Sequence, residues 1–161
     1  MKFFTSSGVL TSFAILALAP TMTTIAVAQD HSKHVILMPA DLKWDNLPSL
    51  PPGAKVAVIQ GNPAERGPFT IRLKLPANYK VPAHSHSVSE EVTVLSGTFN
   101  GGVGDKLDPT KTKALTPGGV AIMPANMNHY AWTKQATIIQ ISGTGPFDVK
   151  YVNPADDPRN Q

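Results

Sequence analysis

Short runs in which apolar and polar residues alternate recur from Lys55 onward, separated by turns rich in glycine and proline. In the run 69–75, Phe69 and Ile71 fall on one face of an extended chain and Thr70 falls on the other. Such runs at intervals of about ten residues, without a strong helical period, are typical of an all-β sandwich or barrel. The predicted strands are 55–60, 69–75, 90–96, 120–123, 129–132, 137–142 and 147–152, with a tight reversal at 100–102.

Residues 1–28 have the layout of a cleaved secretory signal peptide. Lys2 gives a positive start, the run 8–19 is uncharged and mostly apolar, and Ala26-Val27-Ala28 fits the small-x-small pattern that signal peptidase cleaves. The alternative is a membrane anchor, but the apolar run is shorter than the roughly 20 residues that span a bilayer. We therefore expect cleavage after Ala28, a periplasmic or secreted protein, and no membrane attachment afterwards.

The chain that remains after cleavage has the length of one domain. We expect an N-terminal extension over 29–54, with an irregular proline-rich connection, then the β domain over 55–153 and a polar C-terminal tail over 154–161. His31 and His34 fall beside the cleavage point, so we interpret them as solvated tail residues.

Composition excludes two classes of function. The formal net charge of the whole chain is only +3, and no basic stripe appears, which argues against a nucleic-acid partner. The chain has no cysteine, so neither disulfides nor metal-binding thiolates are available.

The stretch 84–97 contains a candidate metal site. Side chains two positions apart in a strand share a face, so His84 and His86 can reach one point, and a bend at 87–89 can bring Glu90 to join them. His129 is the candidate fourth ligand. Imidazole and carboxylate ligands without sulfur suit one divalent transition metal, which leaves Fe, Mn, Ni, Co and Zn open.

Two alternatives bear on this ligand set. Glu91 is the rival of Glu90, but strand alternation turns it to the opposite face, and we therefore favour Glu90. The histidines could also be strand residues with purely structural hydrogen bonds, although the adjoining acid and the distant His129 argue against that interpretation.

These residues resemble the two conserved motifs of the cupin superfamily. The stretch 84–97 is similar to the first motif, a His-x-His pair, a Glu after three or four residues and a Gly six beyond it. Gly118, Pro124 and His129 are similar to the second motif, with five and four intervening residues. The sequences of residues 92–99 and 151–158 also resemble those of small exported single-domain cupins of uncharacterised function.

The chain departs from the family pattern at three positions. Asn126 stands where the family has Gly, and Thr133 stands where it has Asn, which affects a local turn and a contact behind the ligands. A Gly expected shortly before His84 is absent, and Asn78 is the residue that can take the turn, because Asn tolerates positive φ.

The resemblance implies a jelly-roll β-barrel, the double-stranded β-helix, in which two sheets enclose a metal pocket, and it implies a homodimer. It leaves three functional classes. The first is a metalloenzyme, an oxygenase or an isomerase/lyase acting on a small organic molecule. The second is a non-catalytic metal-dependent binding or sensor domain, as in cupin-type anti-sigma factors. The third is a structural cupin without chemistry, against which the four candidate ligands argue. We favour the first, with no catalytic residue assigned beyond the metal ligands.

Overall fold

The computed structural model describes residues 34–161, of which Ile36–Gln161 form one compact unit. The predicted signal peptide over 1–28 and the following residues up to 33 lie outside the described part. The strands are β1 Asp45–Asn46, β2 Lys55–Gln60, β3 Gly67–Leu75, β4 Lys80–Ser85, β5 Glu90–Ser96, β6 Phe99–Val103, β7 Lys113–Leu115, β8 Val120–Met123, β9 His129–Trp132, β10 Thr137–Gly145 and β11 Lys150–Tyr151. Short 3-10 helices cover Pro39–Asp41, Pro109–Lys111, Pro154–Asp156 and Pro158–Asn160.

The strands form two antiparallel sheets. The six-stranded sheet has the order β1-β2-β3-β10-β5-β8, and the five-stranded sheet has the order β11-β4-β9-β6-β7. One hydrophobic core contains side chains of both sheets, for example Ile71 and Val92 from the first and Val81 and Ala131 from the second. The predicted all-β, cupin-like fold is confirmed, although within the described residues the sheets do not join edge to edge into a closed barrel.

Alternation along β3 and β5 decides which side chains enter the core. Phe69, Ile71 and Leu73 are buried, and so are Val92 and Val94. Because β3 and β5 flank β10 in the same sheet, these two groups lie side by side on one face. Each buried aliphatic side chain of this size contributes about 1.5–3 kcal/mol through the hydrophobic effect.

The predicted reversal at 100–102 is wrong. Residues Phe99–Val103 form strand β6, and the chain reverses before it at Gly97, which has φ +80°. A Cβ atom on Gly102 would lie 2.5 Å from the Tyr130 ring, so this strand glycine is needed because an aromatic ring lies against its backbone. Glycine in this chain therefore marks close packing as well as turns.

The predicted last strand, 147–152, is also too long. Only Lys150–Tyr151 pair as β11, against Ser85 and His84 of β4. Residues before β11 bind side chains instead of a neighbouring strand, because the Asp148 carbonyl accepts a hydrogen bond from the His86 ring. Residues 147–152 do alternate in sequence, but at Asp148 a hydrogen bond to a side chain takes the place of strand pairing.

Residues on both sides of the predicted domain also contact it. Asp45 and Asn46 pair with β2, and Leu50 is buried in the core. The C-terminal residues form two 3-10 turns, and Arg159 Nη2 donates a hydrogen bond of 2.8 Å to the Val149 carbonyl. His34 is exposed. None of the helices in the described part is long and apolar enough to cross a membrane.

Candidate metal centre

The four candidate ligands lie together and all are buried. His84 is in β4 and its backbone partner across the ladder is His129, the first residue of β9. His86 follows the end of β4, and Glu90 opens β5 in the other sheet. Their exposed fractions are 5% for His84, 4% for His86, 5% for Glu90 and 6% for His129. Both sheets therefore contribute to one buried cluster.

The functional atoms of this cluster converge. The Glu90 Oε2 atom lies 3.5 Å from His86 Nε2 and 3.3 Å from His129 Nε2. One ring nitrogen from each of the three histidines lies within 4.8 Å of the other two. The spacing is close to what one divalent ion needs, because ligand atoms about 2.1 Å from the ion are up to about 4.2 Å apart.

Each imidazole is held in the same tautomer by a backbone carbonyl. His84 Nδ1 donates to Pro82 O at 2.7 Å, His86 Nδ1 donates to Asp148 O at 2.5 Å, and His129 Nδ1 donates to Met127 O at 2.9 Å. Because a carbonyl oxygen only accepts, the proton sits on Nδ1, and the lone pair on Nε2 is directed into the cluster. In metal sites of other proteins, outer-shell acceptors of this kind fix the tautomer and the ring orientation of the histidine ligands.

The Nε2 atoms of His86 and His129 require a cation. Both are buried without a hydrogen-bond partner within the described residues, although each lies near the Glu90 carboxylate. With the proton on Nδ1, an imidazole lone pair faces a carboxylate lone pair, and two acceptors repel each other unless a proton or a metal ion lies between them. The three imidazoles and the carboxylate thus fit a divalent transition metal.

The pKa values of Glu90 and His84 in the metal-free cluster suit ligation at neutral pH, whereas the raised pKa of His86 means that a metal ion must displace a proton there. Burial raises the pKa of Glu90, but its interactions with the nearby His129 and His86 rings outweigh burial and lower that pKa to about 2. Burial, followed by the nearby His129 and His86, lowers the pKa of His84 to about 3. Burial lowers the pKa of His86 as well, but its interaction with Glu90 is stronger, and the net direction is upward. The carboxylate is ionised and His84 is neutral, which are the forms that bind metals.

The segment before β11 positions His86. The Phe147 ring stacks on the His86 ring with centroids 4.3 Å apart and 23° between the planes. The Asp148 carboxylate accepts hydrogen bonds of 2.7 Å from Ser87 N and 2.8 Å from Ser87 Oγ. Sequence reasoning missed Phe147 and Asp148, because they lie about 60 residues from the histidine pair and share no spacing with it.

Asparagine takes the place of glycine at two turns, and one of these turns lies beside the centre. Asn126 has φ +62°, and its N–H donates a hydrogen bond of 2.7 Å to His86 O. Asn78 has φ +56°, which confirms the prediction that it makes the turn before β4. Thr133 Oγ1 donates to Pro76 O at 2.7 Å, so this substitution for the family Asn ties two turns together.

The rival acid lies elsewhere. Glu91 is exposed on the opposite face of β5, where it pairs across the ladders with Ile122 and Ser142. Glu90, and not Glu91, is therefore the carboxylate that the fold brings to the three histidines.

Two cavities reach the cluster from different sides. One, of about 240 Å³, is lined by His86 and Glu90, by aliphatic residues of the six-stranded sheet and by residues 147–149. The other, of about 270 Å³, is lined by His129 and Tyr130 and lies between the strands β8 and β6. A small molecule in the first cavity would lie beside both His86 and Glu90.

Solved structures with the same fold include enzymes and a regulator. The chain is similar to the polyketide cyclase RemF from Streptomyces resistomycificus, with a TM-score of 0.65 and 18% identity over 80% of this chain and 92% of that one. It is similar to a proposed acetylacetone dioxygenase from Methylibium petroleiphilum, with a TM-score of 0.59 and 20% identity over 81% and 89%. The anti-sigma protein ChrR of Rhodobacter sphaeroides, solved with SigE, gives a TM-score of 0.50 and 20% identity over 66% and 51%.

At these identities the likeness shows the fold and no more. No curated protein sequence matches the chain. The family model described as the ChrR cupin-like domain matches residues 32–147, which is most of the chain and includes all four candidate ligands. The chain belongs to this ChrR cupin-like family, within the cupin superfamily.

Proposed function

We propose that this protein is an exported metal-dependent cupin that acts as an enzyme on a small organic molecule. The observation that carries the proposal is the state of the three imidazoles, whose Nδ1 atoms are all bound to carbonyls while their Nε2 atoms face one another and the Glu90 carboxylate. A purely structural cluster would satisfy these nitrogens inside the protein.

The ligands would be Nε2 of His84, His86 and His129 together with a carboxylate oxygen of Glu90. This set favours a borderline divalent ion, and Fe, Mn, Ni, Co and Zn all remain candidates. When bound, such an ion supplies Lewis acidity that polarises an oxygen-bearing substrate. The chain itself fixes the imidazole orientations and lines the cavity beside the centre mostly with apolar side chains.

A small organic substrate is supported by the cavity beside the centre. The cavity holds about 240 Å³ and has aliphatic walls, including Val56, Ile71 and Ile141. Two proteins of the same fold are described as a polyketide cyclase and a proposed acetylacetone dioxygenase. We therefore place the reaction among oxygenase and isomerase/lyase chemistries.

A non-catalytic binding or sensor role is the second candidate. It is favoured by the match to the ChrR cupin-like family, because ChrR itself is an anti-sigma protein solved with its sigma factor. A sensor would bind metal and ligand without turnover. An enzyme would consume substrate.

The first test is metal content in the purified protein. Wild type expressed with iron, manganese, nickel, cobalt or zinc should contain about one divalent ion per chain, and His86→Ala should contain almost none. Glu91→Gln is the matched control, because Glu91 is exposed beside Glu90, and it should keep the ion. An empty wild type under every condition would refute the metal proposal.

The second test separates the enzyme from the sensor. Oxygen uptake is followed with catechols, flavonols, thiols and short diketones, and isomerisation or cleavage of the same compounds is followed by chromatography. Turnover of one compound that is lost in Glu90→Gln supports the enzyme. Saturable binding without turnover supports the sensor.

Export and self-association belong to the same proposal. The exported protein should lack residues 1–28, which intact-mass measurement of the periplasmic or secreted form tests directly. We further propose a homodimer, to be measured by sedimentation.

A further inference from the structure

The cavity beside His86 and Glu90 is closed on one side by the C-terminal residues. Its aliphatic wall comes from the six-stranded sheet, whereas Val149 and Arg159 line it from the C-terminal side. Arg159 belongs to the 3-10 turn Pro158–Asn160. The tail thus brings a cationic group to the cavity that contains the candidate metal ligands.

The Arg159 guanidinium is held in a fixed orientation, but not all of its N–H groups donate hydrogen bonds. Its Nε and Nη2 atoms each donate 2.7 Å hydrogen bonds to the Asp157 carboxylate, and Nη2 also donates to Val149 O. No hydrogen bond within the described residues uses Nη1. Two nitrogens of this guanidinium donate hydrogen bonds that fix its orientation, and the third is free to donate. Such a group is pre-organised to bind an oxygen anion.

Arg159 is the one cation among the described residues that line the cavity, and its Nη2 atom is already paired with Asp157 at 2.7 Å, so an incoming anion depends on the N–H groups that this pair leaves free. The other charged groups in the lining are the carboxylates of Glu90 and Asp148. Asp148 is engaged by Ser87 and by Lys150, at 3.0 Å. Arg159 is therefore the cationic side chain of the lining, and an anionic group in the cavity finds its partner there.

We propose that Arg159 is a specificity-determining residue that binds the carboxylate of a small, otherwise apolar substrate, whose other end lies beside His86 and Glu90. This inference rests on the proposed function and names its substrate class. The aliphatic walls accept the apolar body, and the volume of about 240 Å³ lies below the range of about 300–1,000 Å³ typical for drug-sized ligands. The ligand is accordingly a compact organic acid.

A purely structural role for Arg159 makes a different prediction. If the residue only fastened the tail to Val149, its replacement would affect charged and neutral ligands alike. The test therefore compares two probes of the same shape, phenylacetate and phenylacetamide, by isothermal titration calorimetry. It uses wild type, Arg159→Gln, Arg159→Lys and Lys134→Gln, the last being an exposed cation that does not line the cavity.

Wild type should bind phenylacetate about tenfold or more tightly than phenylacetamide, because a charge-assisted hydrogen bond is lost with the amide. Arg159→Gln should remove this selectivity while leaving the affinity for the amide unchanged, and Arg159→Lys should keep part of it. Lys134→Gln should retain it in full.

Each titration is made with metal-free and metal-loaded protein, so that the two proposals fail separately. Selectivity for the carboxylate in the metal-free protein supports Arg159 even if no metal is ever bound. Selectivity that appears only with metal and survives in Arg159→Gln places the carboxylate on the ion and overturns the assignment. The assignment is also overturned if wild type binds the two probes equally or binds neither. It is overturned as well if Arg159→Gln loses the binding of both probes.

Discussion

Replacement of Glu90 by Gln should abolish most of the stabilisation that a metal ion gives the folded chain. The substitution removes the only carboxylate near the three Nε2 atoms within the described residues, yet it preserves the size of the side chain. Glu91→Gln is the control, because it removes the same charge from the adjacent, exposed position.

The size of the effect follows from linkage. An ion present at about 100 times its dissociation constant stabilises the folded state by about 2.7 kcal/mol. For a compact unit the size of Ile36–Gln161, this raises Tm by about 10 °C, at about 4 °C per kcal/mol. Removal of a ligand should weaken binding at least as much as removal of a ligand's partner, and a loss of about 100-fold leaves about 0.4 kcal/mol and less than about 2 °C at the same ion concentration.

The assay is thermal unfolding followed by circular dichroism, with EDTA and then with each divalent ion. Every variant is compared with its own metal-free baseline, since removing a buried carboxylate also changes the metal-free protein. Equal metal-induced shifts in wild type and Glu90→Gln would refute the assignment of Glu90. Loss of the shift in Glu91→Gln as well would show that net charge, and not the site, is responsible.

Three further outcomes follow from the structure. Because burial and the neighbouring imidazoles lower the pKa of His84 from 6.5 to about 3, His84 binds more protons in the unfolded state in that range, and its contribution to the free energy of unfolding of the metal-free chain should fall as pH drops below 6.5. His84→Asn should flatten this decline between pH 6.5 and 4.5 in urea titrations. Asn126→Gly should leave stability nearly unchanged, whereas Asn126→Ala should cost about 1 kcal/mol at φ +62°, both measured by urea unfolding. Phe147→Leu removes the ring stacked on His86 and should weaken metal binding about tenfold in a competition titration, and unchanged affinity would contradict that role.

Periodicity predicted the strands whose burial alternates along one buried face. Strand β5 begins and ends where the alternation of residues 90–96 indicates, and the predicted bounds 120–123 and 129–132 of β8 and β9 also match, although β9 buries three residues in succession. Periodicity failed at β6. Glycines there were interpreted as a turn, but Gly102 lies in a strand and leaves space for the Tyr130 ring. Local patterns carry no information about which distant ring will lie against a backbone.

The same limit applies to the site. Spacing within one stretch located His84, His86 and Glu90, and strand parity separated Glu90 from Glu91, because these are properties of adjacent residues. Phe147 and Asp148 act on His86 across a separation of about 60 residues, through a carbonyl and a ring face. A backbone carbonyl is present at every position, so no residue type marks the one that will hold an imidazole.

The placement of the cluster connects its chemistry to the fold. His84 and His129 come from β4 and β9, which pair inside the five-stranded sheet, and His86 follows the end of β4, whereas Glu90 opens β5 in the six-stranded sheet. Within the described residues the two sheets share a hydrophobic core but no backbone ladder. A metal ion held by all four residues would therefore link the sheets at a point where hydrogen bonding does not. The energy of ligation would then add to the stability of the packing between the sheets, and loss of the ion would loosen the same cavity that is proposed to hold the substrate.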